Sequence, residues 1–187
     1  MKRTYLIGAS TAGHQVEGNN IHSDFWAMEQ MEYSTFKEPS LDCVDHYNRY
    51  KEDIDLMKNA GLNTYRFSVE WARIEPEKNK FDINEINHYK DVILYCKENG
   101  IEPVITLHHF ASPKWLIEEG GWEVESTIDY FGKYTQYVIE YLGDYLKYVC
   151  TINEANMGLQ LAHIIKDRMV AMSNAQVGFQ LPVEFFK

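Results

Sequence analysis

A chain of 187 residues, 45% of them hydrophobic, is long enough to bury a core of its own. Its 18 basic and 28 acidic side chains leave a formal charge of -10 with no Lys/Arg cluster, which argues against nucleic-acid or anionic-membrane partners. No run reaches the roughly 18 apolar residues of a membrane span, and Tyr5–Ile7 falls short of the about 7–15 residues of a secretory signal core.

The elements then follow in chain order. The first predicted strand is Tyr5–Ala9, with His14 and Gln15 just beyond it. Tyr47, Tyr50, Ile54 and Met57 fall at helical spacing, and Gly61 stands where a C′ glycine would end that helix. Thr64–Val69 reads as the second strand, followed by Glu70. Asp82 and Glu85 resemble a capping box, and Ile86, Tyr89, Ile93 and Cys96 form an apolar stripe before Gly100. Glu98, beside that glycine, belongs to the helix end and therefore to the opposite rim from Glu154. Pro103–Leu107 is the third strand, leading into His108 and His109. Ser126 reads as the N-cap of a third helix whose face is Phe131, Tyr134, Val138, Tyr141 and Tyr145. The fourth strand, Tyr148–Ile152, runs into Asn153 and Glu154.

Nothing resembles a linker or a low-complexity tract, so residues 1–187 are expected to form one domain. The four strands are close to continuously apolar, as strands buried on both faces should be. The βαβαβαβ order predicts a parallel sheet with crossover helices, and its polar residues gather where such sheets bind ligands. Four strands cannot close a barrel of eight, so an open sheet and half a (β/α)8 barrel both fit. Residues 157–187 could start as a helix, and no fifth strand is recognisable there. Cys43, Cys96 and Cys150 are odd in number and widely spaced, without a CxxC. They read as buried free thiols in a reducing compartment, which makes the cytoplasm the expected location.

Three groups could carry chemistry. Glu154 at a strand end, next to amides rather than cations, suits a general acid/base, although such an Asn-Glu pair also suits a solvated loop. Asn153 can share its pocket only if the strand ends or bulges there. His108 and His109 could be hydrogen-bonding imidazoles or a metal pair, though adjacent strand positions point apart. Trp26, Trp71, Trp115 and Trp122 could stack on sugars, but core packing is the simpler use of large rings.

Together these segments resemble the N-terminal half of glycoside hydrolase family 1, the β-glucosidases and 6-phospho-β-glycosidases, over residues 4–156. GASTAGHQVEG is similar to the family's first-strand segment with its sugar-binding Gln, here Gln15. DHYNRYKEDIDLMKNAGLNTYRFSVEWARIEP resembles the block of first helix and second strand. TLHHFASPKWL resembles the third-strand motif with its sugar-binding His, here His109. TINEAN resembles the T-x-N-E-P motif, making Glu154 the acid/base and Asn153 its 2-hydroxyl partner.

The resemblance implies an α/β fold, the first half of a (β/α)8 TIM barrel with about four βα units. It also implies retaining hydrolysis of β-linked sugars without a cofactor, and it gives Arg66 the task of supporting the nucleophile. Ala155 and Phe110 stand where the family has Pro and Trp, and no segment matches the one that carries the family's nucleophile. The chain alone is therefore expected to be inactive, and to self-associate or pair with a complementary chain over its open barrel edges. A non-catalytic sugar-binding or structural half barrel is the alternative, and a metal-dependent hydrolase using His108 and His109 is a third reading.

Overall fold

The computed structural model describes residues 5–32, 34 and 36–156. Its frame is one parallel sheet in the order β1 (Gly8–Ser10), β2 (Thr64–Ser68), β3 (Glu102–His108) and β4 (Tyr148–Ile152). Among the described residues seven α-helices accompany these strands. They are α1 (Gly13–Val16), α2 (Asp24–Glu29), α3 (His46–Asn59), α4 (Trp71–Ile74), α5 (Ile83–Glu98), α6 (Lys114–Glu118) and α7 (Ser126–Leu142). None of the described helices is long and apolar enough to cross a membrane.

The core lies between sheet and helices. Tyr65, Phe67, Ile105 and Leu107, alternate residues of β2 and β3, pack with Ile54 of α3, with Ile86, Tyr89, Ile93 and Cys96 of α5, and with Tyr134, Val138 and Leu142 of α7. The stripe on α5 is therefore buried as its spacing predicts. Trp71 is fully buried and stacks on Tyr134 at 4.8 Å, while Trp115 and Trp122 pack partly buried against the same cluster. Gly61 and Gly100 follow α3 and α5 with φ of 80° and 73°, the left-handed geometry that a glycine adopts without strain.

Several expectations need correcting. β1 is Gly8–Ser10 rather than Tyr5–Ala9, and Tyr5 and Ile7 are 73% and 62% exposed. Nor are all four strands buried on both faces: β1 is exposed throughout, and β4 is exposed at Tyr148, Val149 and Thr151. The reason is topological. Each has only one sheet neighbour among the described residues, so one side of its backbone and much of its side-chain surface go uncovered.

Ser126 is not an N-cap; α7 begins at Ser126, Glu125 precedes it, and no side chain caps the turn. Tyr141 is 41% exposed and Tyr145 lies in a 3-10 turn beyond α7, so Leu142 fills the last core position instead. Asp82 does cap α5 by accepting from the Asn84 N–H, but Glu85 accepts from Tyr47 and completes no reciprocal box. All three cysteines are free, with Cys96 buried and Cys43 and Cys150 only half-buried. The expected helical start beyond residue 156 lies outside the described residues.

Candidate active site

Every strand hands over to polar residues at its carboxyl end. β4 stops at Ile152, and the Asn153 N–H donates to the His108 carbonyl at 2.9 Å, which holds the turn against the end of β3. Glu154 then adopts φ 47°, a left-handed conformation that costs a non-glycine residue about 1–2 kcal/mol. The regular alternation of side chains ends there. That break is what lets Asn153 and Glu154 leave the strand in directions a continuous β4 would forbid.

Arg66 reaches across the sheet from β2. Its Nε donates to Thr106 Oγ1 at 2.8 Å and its Nη2 donates to Asn153 Oδ1 at 2.7 Å. The amide of Asn153 is thereby oriented, with Oδ1 accepting from Arg66 and Nδ2 making no hydrogen bond among the described residues. Arg66 meets no carboxylate among the described residues, and Glu154 is exposed.

His109 follows β3, half-buried, with its ring edge-on to Phe110 at 5.1 Å. Burial and the nearby Arg66 charge both hold its pKa below the ordinary histidine value. The ring is thus neutral at neutral pH, with one N–H to donate. Phe110 takes φ 66°, so left-handed residues follow both β3 and β4. Gln15, on α1, is exposed above the ends of β1 and β2, where Thr11 N donates to the Arg66 carbonyl at 2.9 Å.

His108 behaves differently. It is buried, meets Ser112 Oγ at 3.0 Å through Nε2, and sits edge-on to Trp122 at 4.7 Å. Desolvation first and the charge of His109 second hold its pKa at about 3. The two histidines therefore have separate surroundings, and among the described residues no group of three His, Cys, Asp or Glu could hold a metal ion. Glu98, the last residue of α5, lies before β3 at the opposite rim from Glu154.

Sequence reading missed the frame behind these residues. Glu17 is buried and accepts from Arg73 Nε at 2.8 Å and from the Tyr89 hydroxyl at 3.1 Å; Arg73 also donates to the Gly18 carbonyl. Glu70 is buried beside it, and desolvation together with the Glu17 charge raises its pKa to about 7. His14 pairs with Glu29 at 2.8 Å, and Glu29 accepts from the Ser40 N–H and hydroxyl. Asp24 is fully buried and accepts from the Ser112 N–H at 2.8 Å, which docks α2 on the segment that follows His109. The available signal was a carboxylate inside an apolar run, as in Ser68-Val69-Glu70-Trp71 and Ser23-Asp24-Phe25-Trp26.

Comparison with known proteins agrees with the fold. The sequence model described as glycosyl hydrolase family 1 matches residues 1–171. β-Glucosidase A of Acetivibrio thermocellus is 34% identical over 170 residues, covering 87% of this chain and 38% of that protein. The crystal structure of β-glycosidase BGL167 superposes with a TM-score of 0.85 at 46% identity, covering 92% of this chain and 45% of that one. The β-glucosidase from Thermotoga maritima in complex with castanospermine superposes with a TM-score of 0.77 at 30% identity, covering 86% of this chain and 37% of that one. The chain thus spans under half the length of these relatives, and its four parallel strands match part of their barrel.

Proposed function

The chain belongs to glycosyl hydrolase family 1, and on that premise we propose that it carries one side of a retaining β-glycosidase site. Glu154 is the general acid/base, protonating the leaving oxygen and later taking a proton from water. Gln15, His109 and the Nδ2 of Asn153 hold the sugar hydroxyls. Arg66 supports the nucleophilic carboxylate, which lies outside the described residues. The observation that carries this reading is the bond from Arg66 to Asn153 Oδ1, which fixes the amide beside an exposed Glu154. The three free cysteines support a cytoplasmic location.

Ligand binding tests the reading. Titration of the 187-residue chain with methyl β-glucoside, followed by amide NMR, should shift Gln15, His109, Asn153 and Glu154 and leave Ile105 in the core unmoved. An absence of shifts at those four residues contradicts it. Binding with no turnover after the remaining barrel strands are supplied would favour a non-catalytic sugar-binding half barrel instead.

The exposed edges have a further consequence. Among the described residues β1 and β4 each have one unpaired edge, so β4 of one copy against β1 of a second would close eight parallel strands. Sedimentation at micromolar concentration should give a dimer or larger species. A clean monomer would count against edge pairing.

A further inference from the structure

Glu70 takes no part in the mechanism above, yet burying a carboxylate costs several kcal/mol unless its oxygens are satisfied. Both of them are. Oε1 accepts from the Ser68 hydroxyl at 2.6 Å and Oε2 accepts from Asn20 Nδ2 at 2.8 Å. The Ser68 hydroxyl in turn accepts from the Gly13 N–H at 2.7 Å. α1 needs that acceptor, because the residue preceding it is Ala12, which has no side-chain oxygen with which to cap it.

Gly13 and Asn20 lie on either side of Gln15 in the chain; the Glu70 carboxylate holds Asn20 directly and Gly13 through the Ser68 hydroxyl. Contact is so close that a Cβ on Gly13 would lie 2.5 Å from Glu70 Cγ. Glu70 is itself fixed, since its N–H donates to the Tyr89 hydroxyl at 3.1 Å and that hydroxyl donates to Glu17. A helix of four residues has no stability of its own and keeps its position only through such ties.

We propose that Glu70 is a positioning residue for Gln15, bracing both ends of the segment that presents this side chain to the sugar. The inference rests on the reading of Gln15 as a sugar ligand. Two readouts separate it from a general role in stability.

In the 187-residue chain, Glu70→Gln should raise amide exchange across Gly13–Val16 by about tenfold and leave Ile105–Leu107 of β3 unchanged. It should weaken methyl β-glucoside binding by about fivefold, the worth of one ordinary hydrogen bond. In a Gln15→Ala background it should cause no further loss, because the two changes act through one contact. Unchanged exchange at Gly13–Val16, or an equal loss of affinity in both backgrounds, overturns the proposal. Should Glu70→Gln fail to fold, Asn20→Ala removes one end of the brace and must give the same local rise in exchange. Wild-type chain that binds no methyl β-glucoside contradicts the proposed function, while the exchange measurement still decides whether Glu70 braces α1.

Discussion

Fused to the complementary part of a family relative, the chain is expected to hydrolyse aryl β-glucosides, and Glu154→Gln to lower that rate by about 10²–10⁴-fold. The loss should be largest for substrates with poor leaving groups, because these need the proton that Glu154 delivers. In the proposed mechanism the glycosyl-enzyme intermediate also needs Glu154 to deprotonate the attacking water. Azide requires no deprotonation, so adding azide to a Glu154→Ala variant should restore turnover and yield a glycosyl azide. The backbone offers a control. Glu154 sits at φ 47°, so Glu154→Gly removes the strain of a left-handed side chain and should leave the melting temperature unchanged or higher. Activity lost together with a lower melting temperature in Glu154→Gly would mean that this residue serves stability instead.

Asp24→Asn is expected to have the largest effect on stability, and the sign depends on pH. Burial raises the Asp24 carboxyl to about 8, far above its ordinary value near 4. A group whose folded pKa is raised contributes stability that is fully present below the unfolded pKa and lost as pH climbs to the folded one. Asp24 therefore costs the wild type stability progressively between about pH 4 and pH 8, by an amount of order several kcal/mol. Asparagine keeps an oxygen for the Ser112 N–H and carries no charge. The variant should melt higher than wild type by about 5–10 °C at pH 8, and the gap should close near pH 4. Circular-dichroism melts across that range check it, and parallel curves for the two proteins would contradict it. The acid limb should be shared, because buried His108 and half-buried His88, with pKa held at about 3 and about 4, lose their stabilising contribution as pH falls below 6.5.

Much of the frame around the candidate site was legible because its signals are local. An apolar run that ends in Asn153 and Glu154, or in His108 and His109, marks a strand terminus, and the helical stripe on α5 follows from spacing alone. What escaped notice depends on pairs far apart in the chain. Arg73 finds Glu17 across 56 residues, Asn20 finds Glu70 across 50, and Ser112 finds Asp24 across 88. No periodicity encodes such pairs, and apolar neighbours can hint that a carboxylate is buried without naming its partner. The exposure of β1 and β4 was illegible for a related reason: an apolar strand looks the same whether or not the chain covers its edge.

The separation of His108 from His109 shows the same limit at shorter range. Side-chain alternation predicts that adjacent residues diverge, but only the fold shows that His108 faces Ser112 and Trp122 while His109 lies near Arg66. Left-handed backbone at Phe110 and Glu154 then turns the chain away from both strand ends, a feature that neither residue type announces.

The central claim is that Glu154 is one of two carboxylates needed for retaining hydrolysis, and that the other is not supplied here. The most direct measurement is the rate at which the purified 187-residue chain hydrolyses an aryl β-glucoside. The expected rate equals that of buffer. Turnover above buffer that disappears in Glu154→Gln would contradict the account, because one carboxylate alone would then have sufficed.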